Sequence, residues 1–546
     1  MKDQHRSLIA AALSFLVLIG WYYFYGSKSS MVTPPTAATS TAASPAPQVS
    51  QTVSPAPAAG DASVTRPETL TLKETPLMTL EWASHGGRLS NIFLKKYRQD
   101  VKKDSLPVNL LPFPEEKSLD LLCLDCNAAL PPDGSYETAS ADLGANKDRT
   151  IAFEAATEGL KVTKTYDWSE DGYLLNLKVA VENRSAQDFR GKLGLGWRAR
   201  QFPPKPKGFL SFLQGPGDHR GFLYRLGTDV KHVAVLKEPS DLRGQVPWGG
   251  IEDRYFLISL ISRRDSPDQL LQIRNEGDFL NLALYPGEVS IPAQGRHEEN
   301  FSFYAGPKER EYLLRAGVGL EKAVDYGWFS VLAIPILKLL QVFHVAVKNW
   351  GLAVIVLTLV IKLVMNPLTV KSMKQMKEMQ KLQPKLAALK DKYKDDRQRL
   401  NAETMALFRS HNVNPVGGCL PMLMQMPIYI ALYKVLYNAI ELRHAPFVGF
   451  YRDLSGPDPY FILPVLLGIS MVLQQKLTPS ASADPTQKQM MMIMPVMFTA
   501  FMLFLPVGLV LYIFVNTAFS VLQQWMYQKG IRWRDLLKGQ RPQAVL

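Results

Sequence analysis

The stretch QMMMIMPVMFTAFMLFLPVGLVLYIFVNTAFSVLQQWMYQ, residues 489–528, decides the fold class of this protein. Its 40 residues include no charged side chain. As a single α-helix it would be about 60 Å long, twice the ~30 Å hydrocarbon core of a bilayer. Pro506 and Gly508 lie near its midpoint, where proline interrupts helical hydrogen bonding and glycine permits a tight turn. The stretch therefore predicts two membrane-spanning helices joined by a short turn.

Four further stretches are apolar over a length that suits a membrane span, at 8–25, 352–368, 419–437 and 460–473. The first follows Lys2 and Arg6 and ends in the aromatic run 21–25, which is typical of a membrane interface. A signal peptide is the alternative, but small residues should precede its cleavage site. We therefore expect an uncleaved N-terminal anchor over 1–26. Six spans in all predict a polytopic α-helical membrane protein, five of whose helices follow the large segment 27–349.

Charge is distributed unevenly along the chain. Residues 61–319 contain 34 basic and 36 acidic side chains, and the remainder contains 28 basic and 13 acidic ones. Basic residues concentrate at 371–412 and in the tail 528–546, so both segments are expected in the cytoplasm. An even number of spans then places both termini in the cytoplasm and 27–349 on the periplasmic side. Basic loops beside apolar spans exclude a soluble enzyme and argue against recognition of a specific nucleic acid sequence.

The segment after the anchor divides into a linker and a domain. Residues 27–64 are rich in Ser, Thr, Ala and Pro, a composition that predicts a disordered tether. Residues 65–319 contain runs that alternate apolar and polar side chains, most clearly LNLKVAVE at 175–182. Such alternation is typical of half-buried strands, and glycines and prolines separate the runs. We therefore expect an all-β periplasmic sandwich domain at 65–319.

A C-x-x-C pair lies within this domain, at Cys123 and Cys126. In an oxidising compartment the two residues can form a local disulfide, and free thiols are the alternative. A redox-active pair should open a helix, whereas this one runs into Pro131 and Pro132. The chain contains no G-x-S-x-G, H-E-x-x-H or Walker A pattern. The sequence thus predicts no enzymatic activity, no catalytic residue, no metal site and no cofactor.

The remaining segments are predicted to be helical. At 320–349, apolar residues recur at helical spacing opposite Lys338, Gln341, His344 and Lys348. This pattern favours an interfacial amphipathic helix on the outer side of the membrane, and an ordinary helix of the β domain is the alternative. The second span is expected at 350–370 and the third to sixth at 416–528, followed by a basic cytoplasmic tail at 529–546.

Residues 371–415 predict a cytoplasmic helical hairpin with its polar turn at 394–396. Leucines at 382, 386 and 389 and Tyr393 are spaced as the apolar side of paired helices, and lysines occupy most other positions. The hairpin is either a solvated charged surface or a landing surface for an anionic partner or a nascent chain.

Polar side chains inside the predicted spans are costly, so their positions are informative. Most fall at or below the bilayer centre, towards the cytoplasm. The candidate groove residues are Lys362, Thr358, Gln425, Tyr429, Gln474, Tyr512, Asn516, Ser520 and Gln524. Together they predict a cavity that is hydrated from the inner side and closed outside. Interhelical hydrogen bonding explains any single stripe equally well, and Lys362 alone could extend to the inner headgroups.

Methionine is concentrated in the same region, with 16 of 19 residues between Met365 and Met526. Flexible thioethers suit surfaces that must contact many different apolar partners, although they also fill gaps in cores. We expect an apolar path for substrates along the third and fifth spans, formed by Met422, Met426, Met494 and Met497.

Five short motifs carry a family resemblance: NPLT at 366–369, NPVGGCLP at 414–421, QMPI at 425–428, DPYFILP at 458–464 and PVGLVLY at 506–512. They resemble the bacterial YidC family of membrane protein insertases, in the Gram-negative form with a large periplasmic domain. The resemblance implies a five-helix insertase core with a hydrophilic inner-leaflet groove in the inner membrane. It also implies a membrane chaperone that inserts nascent membrane proteins alone or with the Sec translocon, in contact with membrane lipids.

The resemblance also assigns roles to individual residues. Lys362 stands where the family places a cation, often arginine, that attracts acidic groups of the incoming segment. Thr358 and Tyr512 match further groove positions, and the hairpin and basic tail are candidates for ribosome contact. Two other classes of function remain open at this stage: a transporter or channel, and a membrane-anchored periplasmic protein that binds or modifies carbohydrate.

Overall fold

The computed structural model describes residues 68–102, 104–139, 149–202, 219–393, 396–411, 413, 420–477, 485–529 and 531. The predicted N-terminal anchor, the predicted linker 27–64 and the basic tail after 531 lie outside the described residues. Side chains at 397, 420–423 and 485–491 also lie outside them.

Antiparallel strands, in three sheets, form about the first half of the described chain. A four-stranded sheet runs in the order β1 (Leu70–Glu74), β2 (Met78–Ala83), β3 (Arg88–Arg98), β4 (Pro107–Asn109). A six-stranded sheet runs in the order β13 (Ser240–Gly244), β16 (Gln269–Glu276), β17 (Phe279–Tyr285), β10 (Phe189–Arg200), β18 (Val289–Ile291), with β5 (Lys117–Leu124) also paired to β10. A nine-stranded sheet runs in the order β12 (Asp229–Val233), β11 (Gly221–Leu226), β14 (Trp248–Glu252), β15 (Phe256–Ser262), β19 (Arg296–Pro307), β9 (Leu174–Asn183), β8 (Leu160–Trp168), β7 (Thr150–Ala156), β6 (Glu137–Thr138).

One apolar core lies between these sheets, and it follows the alternation seen in the sequence. In β8, alternate residues from Leu160 to Trp168 are buried, including Val162 and Tyr166. Their neighbours in the strand are half-buried or exposed, as expected when one face of a sheet packs and the other meets water. The prediction of an all-β domain is confirmed.

An exception in β8 is Lys164, which points into the core and is only 1% exposed. Its Nζ donates hydrogen bonds to the carbonyl oxygens of Gly86 at 2.6 Å and Leu119 at 2.9 Å. Burial lowers the pKa of Lys164 to about 8, since a charged amine is disfavoured away from water. This lysine therefore links the centre of β8 to the 3₁₀ turn His85–Gly87 and to strand β5.

The C-x-x-C pair forms a disulfide between Cys123 and Cys126, at the end of β5. The pairing strand β10 has a glycine opposite it, Gly191, where an added Cβ would lie 2.2 Å from the Cys126 sulfur. Of the two alternatives left open by the sequence, the structure has the local disulfide.

The rest of the described chain is helical. Its helices are α1 (Arg310–Ala316), α2 (Ser330–Val347), α3 (Trp350–Lys381), α4 (Gln383–Lys392), α5 (Arg397–Ser410), α6 (Leu420–Asn438), α7 (Ile462–Leu477), α8 (Pro485–Met502) and α9 (Val507–Gln528). Short 3₁₀ turns lie at His85–Gly87, Asp133–Ser135, Leu320–Ala323, Gly327–Phe329 and Ile440–Leu442.

Among the described residues, three helical segments are long and apolar enough to cross a membrane: Gly327–Val347, Trp350–Lys381 and Val507–Gln528. Ile462–Leu477 and Met492–Met502 are shorter apolar helices. The predicted break inside 489–528 is confirmed, because α8 ends at Met502 and α9 begins at Val507 after Pro506. The total of six spans stays a prediction.

Two boundaries differ from the pattern expected in the sequence. The helix of the second span does not end near residue 370 but continues through Pro367 to Lys381. Residues 371–381 are mostly lysine, methionine, glutamine and glutamate, which favour helix and include no glycine or proline stop. The first hairpin helix, α4, thus begins at Gln383, 12 residues after the expected start at 371. The second, α5, begins at Arg397, directly after the expected turn, and Asp396 caps it through a 2.9 Å hydrogen bond from the Arg399 amide.

The β domain contacts the helices at the end of α6. Arg254 donates from Nε and Nη2 to the carbonyl oxygen of Tyr437 at 3.0 and 2.8 Å, and its guanidinium lies 3.9 Å from the Tyr437 ring centre. Arg443 donates to the carbonyl oxygen of Arg98 at 2.7 Å. These contacts fix the side of the helical region on which the β domain sits.

Candidate functional site

A polar network joins three helices that are distant in sequence. Lys362 on α3 donates from Nζ to the Ser520 hydroxyl on α9 at 2.7 Å. The Ser520 hydroxyl in turn donates to the carbonyl oxygen of Asn516, one turn earlier, at 2.8 Å. Lys362 is only 5% exposed, so its ammonium lies inside the protein rather than at the surface. This burial argues against a lysine that merely extends to the headgroups.

The network continues from α9 to α6. Gln425 donates from Nε2 to the Asn516 Oδ1 at 2.9 Å, and the Asn516 amide nitrogen donates to the Tyr429 hydroxyl. The rings of Tyr429 and Tyr512 meet edge to face with centroids 5.5 Å apart. The spacing of four residues within each helix places these side chains one above another on a single face. The sequence predicted both stripes, and the structure brings them together.

Three further predicted groove residues are Thr358, Gln474 and Gln524, and Thr358 has a local role. The Thr358 hydroxyl is fully buried and donates to the carbonyl oxygen of Val354 in its own helix, at 2.6 Å. Thr358 therefore lies one turn above Lys362 as part of the packed wall. Gln474 on α7 is half-buried, and Gln524 on α9 is buried near the inner end of the same face as Ser520.

One further pair belongs to this face, and the sequence interpretation missed it. Gln523 on α9 donates from Nε2 to the Asn366 Oδ1 on α3 at 2.8 Å. Gln523 is 5% exposed, and its Oε1 has no hydrogen-bond partner among the described residues. Asn366 follows Lys362 by four residues, so helical spacing could have placed Asn366 on the same face of α3, although not its pairing with Gln523.

The electrostatics of Lys362 are unusual for a buried cation. Among the ion pairs of the described residues none includes Lys362, and its hydrogen-bond partner is the neutral Ser520 hydroxyl. A buried ammonium without a carboxylate is unfavourable, and a nearby anion would offset part of that cost. An acidic group can therefore be attracted to Lys362 and replace the Ser520 hydroxyl as its hydrogen-bond acceptor.

Most of the described methionines of α6 and α8 are exposed, whereas Met502 at the end of α8 is buried. Met426 is 48% exposed, Met494 57% and Met497 41%, and Met424 next to them is 49% exposed. The Met422 side chain lies outside the described residues. These partly exposed thioethers form an apolar surface available to another apolar partner.

The described part of the chain contains no group of three or more His, Cys, Asp or Glu residues placed to hold a metal ion.

Two family models match this chain, and the two matches meet within α2. Residues 73–339 match the family model described as YidC periplasmic domain. Residues 342–534 match the model described as 60Kd inner membrane protein. The first match covers the β domain and most of α2, and the second covers α3 to α9.

Curated proteins similar to this chain share its full length. One from Maridesulfovibrio salexigens is 33% identical over 97% of this chain and 100% of its own, and one from Geobacter sulfurreducens is 35% identical over 97% and 99%. A third, from Syntrophobacter fumaroxidans, is 37% identical over 96% and 99%. All three are named Membrane protein insertase YidC. The chain therefore belongs to the YidC family of membrane protein insertases.

Proposed function

We propose that this protein inserts nascent membrane proteins into the bacterial inner membrane, with the network around Lys362 as its substrate groove. The observation that carries the proposal is the buried Lys362 ammonium, which lies 2.7 Å from a neutral serine hydroxyl. Around it, Gln425, Tyr429, Asn516 and Ser520 supply hydrogen-bonding groups on two other helices. Such a surface lowers the cost of taking a short polar flank out of water.

The proposed cycle begins with an acidic group on the flank of the incoming segment. It approaches Lys362, takes the place of the Ser520 hydroxyl and leaves the serine bonded to the Asn516 carbonyl. Two unit charges about 4 Å apart gain roughly 4 kcal/mol at an effective dielectric constant of 20, before desolvation is subtracted. Desolvation of the two charges offsets most of this attraction. The net binding free energy of the flank is therefore small, so the flank is held briefly and then released.

The apolar part of the substrate needs a different surface. We assign it to the exposed methionines Met426, Met494 and Met497, together with the predicted Met422. Unbranched thioether side chains adapt their shape to differing neighbours, so one surface can accept many apolar sequences. The segment then leaves sideways into lipid between α6 and α8, without passing through a closed channel.

The proposed topology has six spans, with the predicted anchor as the first, α3 as the second and α6 to α9 as the third to sixth. Both termini and the hairpin lie in the cytoplasm, and the β domain lies in the periplasm. The helix α2 lies in the outer interface, since its exposed Val331, Val342 and Val345 need an apolar cover.

Proposed partners are nascent membrane proteins, membrane lipids, the Sec translocon and, through the hairpin and the tail, the ribosome. In the same groove the protein also acts as a membrane chaperone.

The inner-side hydration of the groove can be tested by thiol labelling. We expect Gln425→Cys, Gln474→Cys and Ser520→Cys, each in a Cys419→Ser background, to react with a membrane-impermeant thiol reagent added from the cytoplasmic side. As a control, Val235→Cys, whose native valine is 75% exposed on the β domain, should react from the periplasmic side. Equal labelling of the groove positions from both sides would indicate a channel through the membrane and contradict this proposal.

The hairpin is expected to recruit substrate, because residues 371–412 contain 11 basic and 5 acidic side chains. We expect replacement of residues 383–410, which spans α4 and α5, by a short Gly-Ser linker to reduce insertion at least about fivefold, while the membrane helices still assemble. The measurement is substrate insertion into proteoliposomes. A deletion of equal length within the predicted linker, residues 31–58, is the control and should keep near-normal activity. If the hairpin replacement inserts substrate normally, the recruitment role is wrong.

A further inference from the structure

A cavity of about 400 Å³ lies where the β domain, α2 and the start of α3 meet. Its lining includes Arg310 and Leu314 of α1, Lys338 and Gln341 of α2, Trp350 of α3 and Glu441 after α6. This volume is within the range of small-molecule binding sites. The cavity is separate from the Lys362 groove, and the proposed insertion cycle does not use it.

The two cations of the cavity are unpaired. Neither Arg310 nor Lys338 takes part in any ion pair or side-chain hydrogen bond found among the described residues. By contrast, the acidic residues of the lining already have partners: Glu309 pairs with Lys96 at 3.3 Å, and Glu311 with Arg315 at 2.5 Å. Two unpaired cations that line one cavity form a site for an anion such as a phosphate group.

The third acidic residue of the cavity lining is Glu441, where burial raises the pKa of the carboxyl and an ammonium beside it would restore its charge. Its Oε1 accepts a hydrogen bond from the Gln341 Nε2 at 3.0 Å, and no cation pairs with it among the described residues. A ligand with a phosphate and an amine would therefore find a complementary group for each charge. A ligand with a phosphate alone would leave Glu441 without a compensating cation.

The surface beside the cavity is apolar. Val331, Val342 and Val345 are 82%, 62% and 75% exposed and lie within two turns of Lys338 on the same side of α2. The wall of the cavity next to Val345 is the His344 ring, which stacks on Trp350 with centroids 3.8 Å apart. Amphipathic rings of this kind are enriched at membrane interfaces. A ligand seated on Arg310 and Lys338 would extend its apolar part along these valines.

We propose that this cavity binds the headgroup of an amine-bearing phospholipid, of the phosphatidylethanolamine class. Its phosphate contacts Arg310 and Lys338, its ammonium faces Glu441, and its acyl chains lie along the exposed valines of α2. The proposal rests on the outer-interface position of α2 given above but not on the insertion activity. A lipid bound in this way would contact both the β domain and the membrane helices.

The test is lipid retention by the full-length protein in detergent, measured by native mass spectrometry without any substrate present. After delipidation, equal amounts of phosphatidylethanolamine, phosphatidylglycerol and phosphatidylcholine are added back. We expect the amine lipid to be retained about tenfold over the other two, and the double variant Arg310→Gln/Lys338→Gln to reduce its retention about tenfold. Lys348→Gln is the matched control, a lysine just after the end of α2 that does not line the cavity, and should retain the lipid as the native protein does.

Three results would overturn the proposal: equal retention of all three lipids, unchanged retention in the double variant, or the same loss in Lys348→Gln. Soluble glycerophosphoethanolamine is added as a competitor to separate a lipid from a free phosphate ester. We expect it to compete weakly because it lacks acyl chains, and full competition at equal concentration would contradict a lipid site. Because the assay involves no insertion, failure of the lipid site leaves the proposed insertase groove untouched, and a failed groove leaves the lipid result standing.

Discussion

Replacement of Lys362 by alanine is expected to reduce insertion of substrates with an acidic flank about tenfold more than insertion of matched neutral substrates. The reason is that the buried ammonium lies beside a neutral serine hydroxyl, so an acidic group is the partner it lacks. A net attraction of about 1.4 kcal/mol corresponds to a factor of ten in an equilibrium. The measurement compares two substrates that differ only in Asp or Asn at one flanking position.

Other substitutions at the same position separate charge from shape. Lys362→Arg keeps the charge and should remain active, and Lys362→Glu should be the most defective with the Asp substrate because like charges repel. Lys374→Ala is the matched control: this lysine lies on the same helix but is exposed, so its loss should affect both substrates mildly and equally. Equal impairment of the Asp and Asn substrates by Lys362→Ala would show that attraction of acidic flanks is not the role of this residue.

Replacement of Lys164 by methionine should destabilise the β domain by about 2–4 kcal/mol, although methionine has a similar length. The substitution leaves the buried carbonyl oxygens of Gly86 and Leu119 without their shared donor, and each unpaired buried group costs about 1–3 kcal/mol. Removal of the buried charge offsets part of this loss. The measurement is pulse proteolysis of the full-length protein across a urea series.

The control and the pH dependence test the same argument. Lys161→Met changes a lysine of the same strand that pairs at the surface with Glu154 at 3.0 Å, and should alter stability by no more than about 0.5 kcal/mol. Because the folded-state pKa of Lys164, about 8, lies below its unfolded value, the unfolded chain binds more protons between these values. The native domain should therefore gain stability relative to Lys164→Met as the pH rises from about 8 to 10. If Lys164→Met is as stable as the native protein at pH 7, the expected net stabilisation by Lys164 and its two hydrogen bonds is wrong.

Much of the architecture was already present in local patterns of the sequence. The charge-free stretch 489–528 predicted two helices with a break near Pro506, and the alternation at 175–182 predicted strands. The stripe from Tyr512 to Gln524 predicted one polar helix face. The alternation and the polar stripe depend on the two-residue and 3.6-residue periods of the backbone, and the break depends on a single proline. All three are visible in the local sequence.

The sequence could not show which faces meet. Lys362 and Ser520 are 158 residues apart, and periodicity assigns each to a face of its own helix without naming the opposite helix. The pairing of Gln523 with Asn366 was missed for the same reason, since α3 and α9 are adjacent only after the helices pack.

Lys164 shows the same limit within the β domain. Its place among Leu160, Val162, Tyr166 and Trp168 puts it on the inward face of β8, where a lysine alone would be unfavourable. The carbonyl groups that bind it come from strand β5, 45 residues away, and from the 3₁₀ turn at Gly86, 78 residues away. The sequence by itself thus determined which elements form and which of their faces are polar. Only the tertiary structure decided which buried charge has a partner, because hydrogen bonding and desolvation depend on groups that folding brings together.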